Sequence, residues 1–172
     1  MNAEEITIEQ KPRVVSVNIS SGGVPKLPID SGTVTFDGLI GDGHNHEKHR
    51  TPLQAVCLQD IEKLEELSRE GFSLSVGTTG ENLTVKNLHV NSLPVGTTLA
   101  FSGGVILELT KVRKPCYVLD AIDPRLKEVI VGRCGLYAKV LREGIIKTDE
   151  IIRAKEPTGQ HSGGRPSGAC AA

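Results

Sequence analysis

A chain of 172 residues has the length of one domain, and roughly two-thirds of the surface exposed by an unfolded chain of this size is buried on folding without disulfides or metals. Twenty Lys and Arg against 21 Asp and Glu leave a formal charge of -1, which excludes binding of a nucleic-acid backbone or an acidic membrane through bulk charge, though not through a local basic pocket. Aromatic residues make up 3 %, with no Trp, too little for base-stacking platforms, so single-stranded nucleic acid is not an expected partner.

In chain order, MNAEEITIEQ is acidic where a signal peptide would be basic and then apolar, and no run approaches the ~18 apolar residues of a membrane span. A cytoplasmic protein with free thiols and no membrane partner is the expectation. Arg13 to Ser20, rich in β-branched residues and followed by Ser21, Gly22 and Gly23, reads as a strand and its exit loop. Thr33 to Phe36 and Leu53 to Leu58 have the same character. At Asp60 the pattern changes: Ile61, Leu64 and Leu67 recur at three-residue steps among charges, and Gly71 is placed to stop the helix. Strands resume at Asn82 to Val85, Thr98 to Phe101 and Val105 to Thr110. In DPRLKEVIVG, Asp123 is a capping residue, Pro124 suits the first helical position, and Leu126, Val129 and Ile130 form one stripe, predicting a second helix. Leu136 to Leu141 and Ile145 to Ile152 complete the strands. Strands in runs with only two helices predict a mainly β fold: a twisted, antiparallel, barrel-like domain with a few short peripheral α-helices, over residues 1–155. Residues 156–172 contain no Val, Ile, Leu, Met or aromatic and read as a disordered Gly-, Pro- and Ser-rich tail.

Three segments carry residue types suited to chemistry. The run Arg113, Lys114, Pro115, Cys116, Tyr117 sets a thiol beside two fixed cations, an environment that favours the thiolate, the form that attacks electrophiles and binds soft metals. Cys57, with apolar neighbours, reads as core packing; Cys134, next to Arg133, is open to either reading; Cys170 lies in the tail. No C-x-x-C pair exists. The second segment, GDGHNHEKHR, brings His44, His46 and His49 near Asp42 and Glu47. Its H-x-H-x-x-H spacing resembles that of metallo-β-lactamase-type zinc hydrolases, but Lys48 stands where the second metal would need an Asp, so a zinc hydrolase is the least favoured reading. The third, GTTGENL from Gly77 to Leu83, is a small-residue loop whose N–H groups and Thr hydroxyls suit a phosphate or a heterocycle edge, although it lacks the G-K-[ST] of a P-loop. Lys26, in SGGVPKLPI, adds one cation.

The order SGGVPKLPI, GLIGDGHNHEKHR, PLQAVCLQ with its helix, GTTGENL, LPVGTTLAFSGGVILELTKVRKPC and GLYAKVLREGIIKTDEI resembles the MOSC domain, named after the C-terminal domain of molybdenum-cofactor sulfurases, from about Val14 to Ile152. The resemblance implies a twisted β-barrel-like fold that binds the molybdenum cofactor, a pterin with a dithiolene and a terminal phosphate. It places the family's cysteine at Cys116, as a persulfide carrier or, in relatives that reduce amidoximes or N-hydroxylated bases, as a molybdenum ligand. By position in the motifs it implies cofactor contacts from Lys26, His44, Arg50, Thr79, Glu81, Asn82, Arg113 and Lys114. Many members carry Arg where this chain has Gly43. No lysine site for pyridoxal phosphate is identifiable, so a stand-alone domain of this kind implies a separate cysteine desulfurase as sulfur donor, and a molybdoenzyme acceptor or a reductase partner. The leading expectation is a sulfur carrier or sulfurtransferase; the alternative is a molybdenum-dependent reductase of N-hydroxylated compounds.

Overall fold

A computed structural model describes residues 7–43 and 51–159. Eleven strands occur among them: β1 (Arg13–Ile19), β2 (Leu27–Ile29), β3 (Ser31–Thr35), β4 (Gly38–Leu39), β5 (Val56–Asp60), β6 (Leu83–Lys86), β7 (Thr98–Phe101), β8 (Ile106–Val112), β9 (Leu136–Arg142), β10 (Gly144–Lys147) and β11 (Ile152–Lys155). Two α-helices, α1 (Ile61–Arg69) and α2 (Leu126–Val129), lie between strands. Eight strands form one sheet in the order β11-β7-β8-β9-β5-β6-β1-β2, and a smaller sheet has the order β10-β3-β4.

The alternation read in the sequence becomes the two faces of the sheet. On β7, β8 and β9 every second residue is buried, among them Leu99, Leu107, Leu109, Leu136 and Ala138, and the small sheet adds Val34 and Ile146 to the same core. Strand β5 is buried along its whole length, as a strand covered on both faces must be, and it runs parallel to β6 with α1 in the connection. Every other strand pair is antiparallel. The fold is mainly β, as expected, and barrel-like in a loose sense, because the sheet is not closed. Its two ends approach where the residues around Val14 bond Asp149, Glu150 and Ile152, with a single bridge between Arg13 and Ile151.

Helix α1 matches the expected span. Leu64 and Leu67 face inward, and Gly71, at φ +103°, takes the left-handed conformation that ends the helix. A second, smaller core lies beneath both helices, formed by Leu67, Phe72, Leu119, Leu126, Ile130 and Cys134. Three boundaries differ from the sequence reading. Leu53 belongs to a 3-10 turn, Pro52–Gln54, because Pro52 lacks a ladder donor and Thr51 accepts from the Leu53 N–H. The stretch expected as one strand from Ile145 to Ile152 divides between the two sheets, with Asp149 at φ +65°. The helix expected from Asp123 is a single turn from Leu126 to Val129, although the Asp123 carboxylate does accept from the Arg125 N–H. Residues 160–172 of the expected tail lie outside the described residues.

Candidate functional site

Several loops and two strands, β5 and β9, converge on a cavity of about 270 Å³. Strand β8 ends at Val112, and Arg113 follows, its N–H bonded to the Gly135 carbonyl. Pro115 then turns the chain so that Cys116, in extended conformation, starts the short turn Tyr117–Ala121. Cys116 is half-buried and lines the cavity together with Tyr117, which is 60 % exposed and marks its mouth. At the closed end are Arg113, 7 % exposed, and Cys57, 4 % exposed, with Tyr137 of β9 beside them.

The wall opposite is a hydrogen-bonded chain. Asn82 pairs with Cys57 through both its backbone N–H, donated to the Cys57 carbonyl at 2.9 Å, and its side-chain oxygen, which accepts from the Cys57 N–H at 3.0 Å. Its amide donates to Asp42 at 2.9 Å. The same carboxylate oxygen receives the Lys26 ammonium at 2.5 Å, and the other accepts from the Ser20 N–H. Lys26 and Asn82 thus line the cavity as one unit, but the Lys26 charge is already paired with Asp42, a partner that the sequence reading had assigned only to the histidine cluster.

Of the two cations that line the cavity, Arg113 is the one without an ion pair. Its Nη2 donates to the Thr79 carbonyl, while Nη1 is buried with no hydrogen-bond partner, and no carboxylate forms a salt bridge with it among the described residues. A buried guanidinium in that state is costly unless an anion meets it. Burial pushes the thiols of Cys57 and Cys134 up, the latter to about 11, against the lowering influence of Arg113, and pushes the Tyr137 phenol up to about 12. At neutral pH all three groups carry their protons.

Thr79, Glu81 and Lys114, implied as cofactor contacts, do not line the cavity. Glu81 is wholly buried behind the loop: its carboxylate accepts from the Gly77 N–H and from the hydroxyls of Thr79 and Thr84, and so fixes the loop from within. The Thr79 side chain is consumed in that network, and only its carbonyl reaches Arg113. Lys114 is exposed, while its neighbour Arg113 is buried. His44 and Arg50, with His46 and His49, lie outside the described residues. Among the described residues no group of three or more His, Cys, Asp or Glu is placed to hold a metal ion.

Two glycines on the cavity lining leave room where a side chain would not fit. Gly80, at φ +91°, stands where a Cβ would come within 2.9 Å of the Val24 side chain and 3.4 Å of Arg113 Nη2. A Cβ at Gly43 would lie 2.2 Å from the Ser21 carbonyl oxygen, so the backbone here has no room for a side chain. Sequence reasoning missed Cys57 as a lining residue, along with Tyr137 and Gln54. Cys57 was judged by its apolar neighbours in sequence, which face the core; Tyr137 carried no local signal.

Comparison with known proteins agrees with this fold. A curated protein called "Reductase" from Gibberella moniliformis is 30 % identical over 129 residues; the match takes in 70 % of this chain but only 23 % of that protein, so the chain spans about a quarter of its relative. Among solved structures, the YuaD protein of Bacillus subtilis superposes with a TM-score of 0.74 at 18 % identity, over 86 % of this chain and 97 % of that one. YiiM from Geobacillus stearothermophilus gives 0.67 at 23 % identity over 84 % and 75 %, and YiiM from Escherichia coli 0.68 at 20 % over 86 % and 71 %. The family model described as the MOSC domain matches residues 42–153, which include Asp42, Cys57, Asn82, Arg113 and Cys116, and the chain belongs to the MOSC domain family.

Proposed function

We propose that the protein binds the molybdenum cofactor in this cavity and carries sulfur on Cys116. The observation that supports the reading is the pairing of a half-buried thiol with a buried, ion-pair-free guanidinium on one cavity wall. The donor set fits such a group. Arg113 would offer a charge to the anionic sulfur side of the group, Asn82 and the loop it belongs to a polar edge to a heterocycle, and a thiol is the soft ligand that a molybdenum–sulfur centre favours. When bound, the cofactor would supply the metal and dithiolene that accept sulfur or electrons.

The chain's own chemistry is sulfur receipt. The Cys116 thiolate attacks the outer sulfur of a persulfide on a separate cysteine desulfurase; the donor's sulfur–sulfur bond breaks, its thiolate leaves, and a persulfide forms on Cys116 with no net oxidation. With labelled cysteine and a desulfurase, the wild-type protein is expected to acquire one labelled sulfur at Cys116 by mass spectrometry, and Cys116→Ser none. Normal labelling of Cys116→Ser defeats the assignment.

A second reading is favoured by the fungal relative's name: Cys116 ligates molybdenum and the protein forms part of a reductase of N-hydroxylated compounds. Metal analysis separates the two. A reductase retains molybdenum near stoichiometry and loses it in Cys116→Ser, while a carrier purifies without it and still accepts labelled sulfur.

A further inference from the structure

The closed end of the cavity is chemically distinct from its mouth. Arg113, Cys57 and Tyr137 meet there, the thiol and phenol lying close enough to the guanidinium to interact with its charge. Arg113 is anchored from behind by the Thr79 carbonyl and from its own backbone by Gly135, so its position does not depend on any ligand. Nη1 lacks a partner, and the nearest buried carboxylate, Glu81, has its oxygens occupied by Gly77, Thr79 and Thr84. Lys26, by contrast, already has Asp42. One positive charge therefore faces the cavity without an ion pair, the buried Glu81 carboxylate acting on it only through space.

We propose that Arg113, the Cys57 S–H and the Tyr137 O–H form a seat for a singly charged sulfur anion at the closed end of the cavity, next to Cys116. The proposal rests on the sulfur-carrier reading and specifies where its cargo atom sits. The unpartnered Nη1 beside two further donors suits an anion, while Gln54 Oε1 is the unpartnered acceptor elsewhere on the same lining. Burial holds the thiol and the phenol in their protonated forms, so they remain donors at neutral pH. The small, partly sulfur-lined pocket suits a polarisable anion better than a hydrated oxyanion, whose several oxygens would need more donors than the three present. The anion is either free hydrosulfide or the outer sulfur of a Cys116 persulfide; both present one charged sulfur.

Two arms distinguish these sources, both run without oxygen. In the first, Cys116→Ala protein is titrated with sodium hydrosulfide in a calorimeter, with inorganic phosphate as the hard-anion control. In the second, Cys116 is loaded with inorganic tetrasulfide, its thiolate taking the end sulfur while trisulfide leaves, and the lifetime of the persulfide against dithiothreitol is followed by mass spectrometry. Tyr137→Phe and Cys57→Ala are compared with their parent in each arm, because Arg113→Ala would also lose the Thr79 anchor and risk misfolding. Loss of one hydrogen bond to a charged group predicts about tenfold weaker hydrosulfide binding or about tenfold shorter persulfide lifetime in each variant. Tenfold loss in the first arm identifies free hydrosulfide, in the second the persulfide. Unchanged values in both arms, failure of tetrasulfide to load Cys116 together with no hydrosulfide binding, or phosphate binding in preference to hydrosulfide overturns the seat. Failure of desulfurase transfer with the seat intact defeats the carrier reading alone, and normal transfer indifferent to Tyr137 and Cys57 defeats the seat alone.

Discussion

Cys57 and Cys134 feel the charge of one guanidinium, and Cys116 lines the same cavity, yet the three differ in burial. Cys57 and Cys134 are buried, and desolvation holds both thiols protonated well above neutral pH, whereas Cys116 is half-exposed on the cavity wall. Under native conditions iodoacetamide is expected to alkylate Cys116 at least about tenfold faster than Cys57 or Cys134, as peptide mapping would show; equal rates for the three would contradict the assignment of Cys116 as the reactive thiol. The ion pair of Lys26 with Asp42 sets the other residue-scale expectation. Side chains are 10 % and 2 % exposed, so removing one partner strands a buried charge, and Asp42→Leu should cost about 3–5 kcal/mol in urea unfolding. Adding Lys26→Met should restore part of that loss but not all, since Ser20 and Asn82 would still lack their acceptor. Cys116 was legible from its neighbours in sequence. Arg113 was legible only as a charge: the run of letters does not state that it is buried on the cavity wall while Lys114 is exposed.

At the scale of elements, the junction of β5 and α1 carries a buried acid. Asp60 would ordinarily cap α1, but its carboxylate instead accepts from the N–H groups of Val90 and Asn91 and from the Asn91 amide. Burial raises its pKa above the usual carboxylate value, with these hydrogen bonds opposing. A raised carboxyl binds its proton more tightly in the folded state, so its contribution to stability is complete below the unfolded value of about 4 and is lost as pH rises through the folded one. Asp60→Asn should therefore flatten the pH dependence of urea-unfolding stability above pH about 4; an unchanged slope would refute this. The helix α1 and most strands were readable because their periodicity is long and uninterrupted. Strands β2 and β4, of three and two residues, were not, since their pairing is decided by the register of β1 and β3 rather than by any pattern of their own. The Gly77–Leu83 loop was found, but the part Glu81 plays in it was not legible: only the three donors gathered around its carboxylate show that it organises the loop from inside.

For the molecule as a whole, the division into two cores matters most. The large core fills the space between the sheets, while Leu119, Leu126 and Ile130 hold the segment after Cys116 against Leu67 and Phe72 in a core of their own. Opening of the smaller core need not disturb the larger. Leu119→Ala is expected to cost about 2–5 kcal/mol locally and to speed amide exchange over residues 117–130, while amides of β8 and β9 stay protected; uniform acceleration across the sheet would show a single cooperative unit instead. The mainly β class could be read from composition and strand spacing, but the near-meeting of the sheet's ends at Arg13 and Ile151 could not, because it depends on accumulated twist over eight strands. Gly80 has a consequence for Arg113. With Val24 2.9 Å and Arg113 Nη2 3.4 Å from the place a methyl would occupy, this one hydrogen atom keeps clearance around the guanidinium, and an alanine there would crowd that cation without altering a single charge.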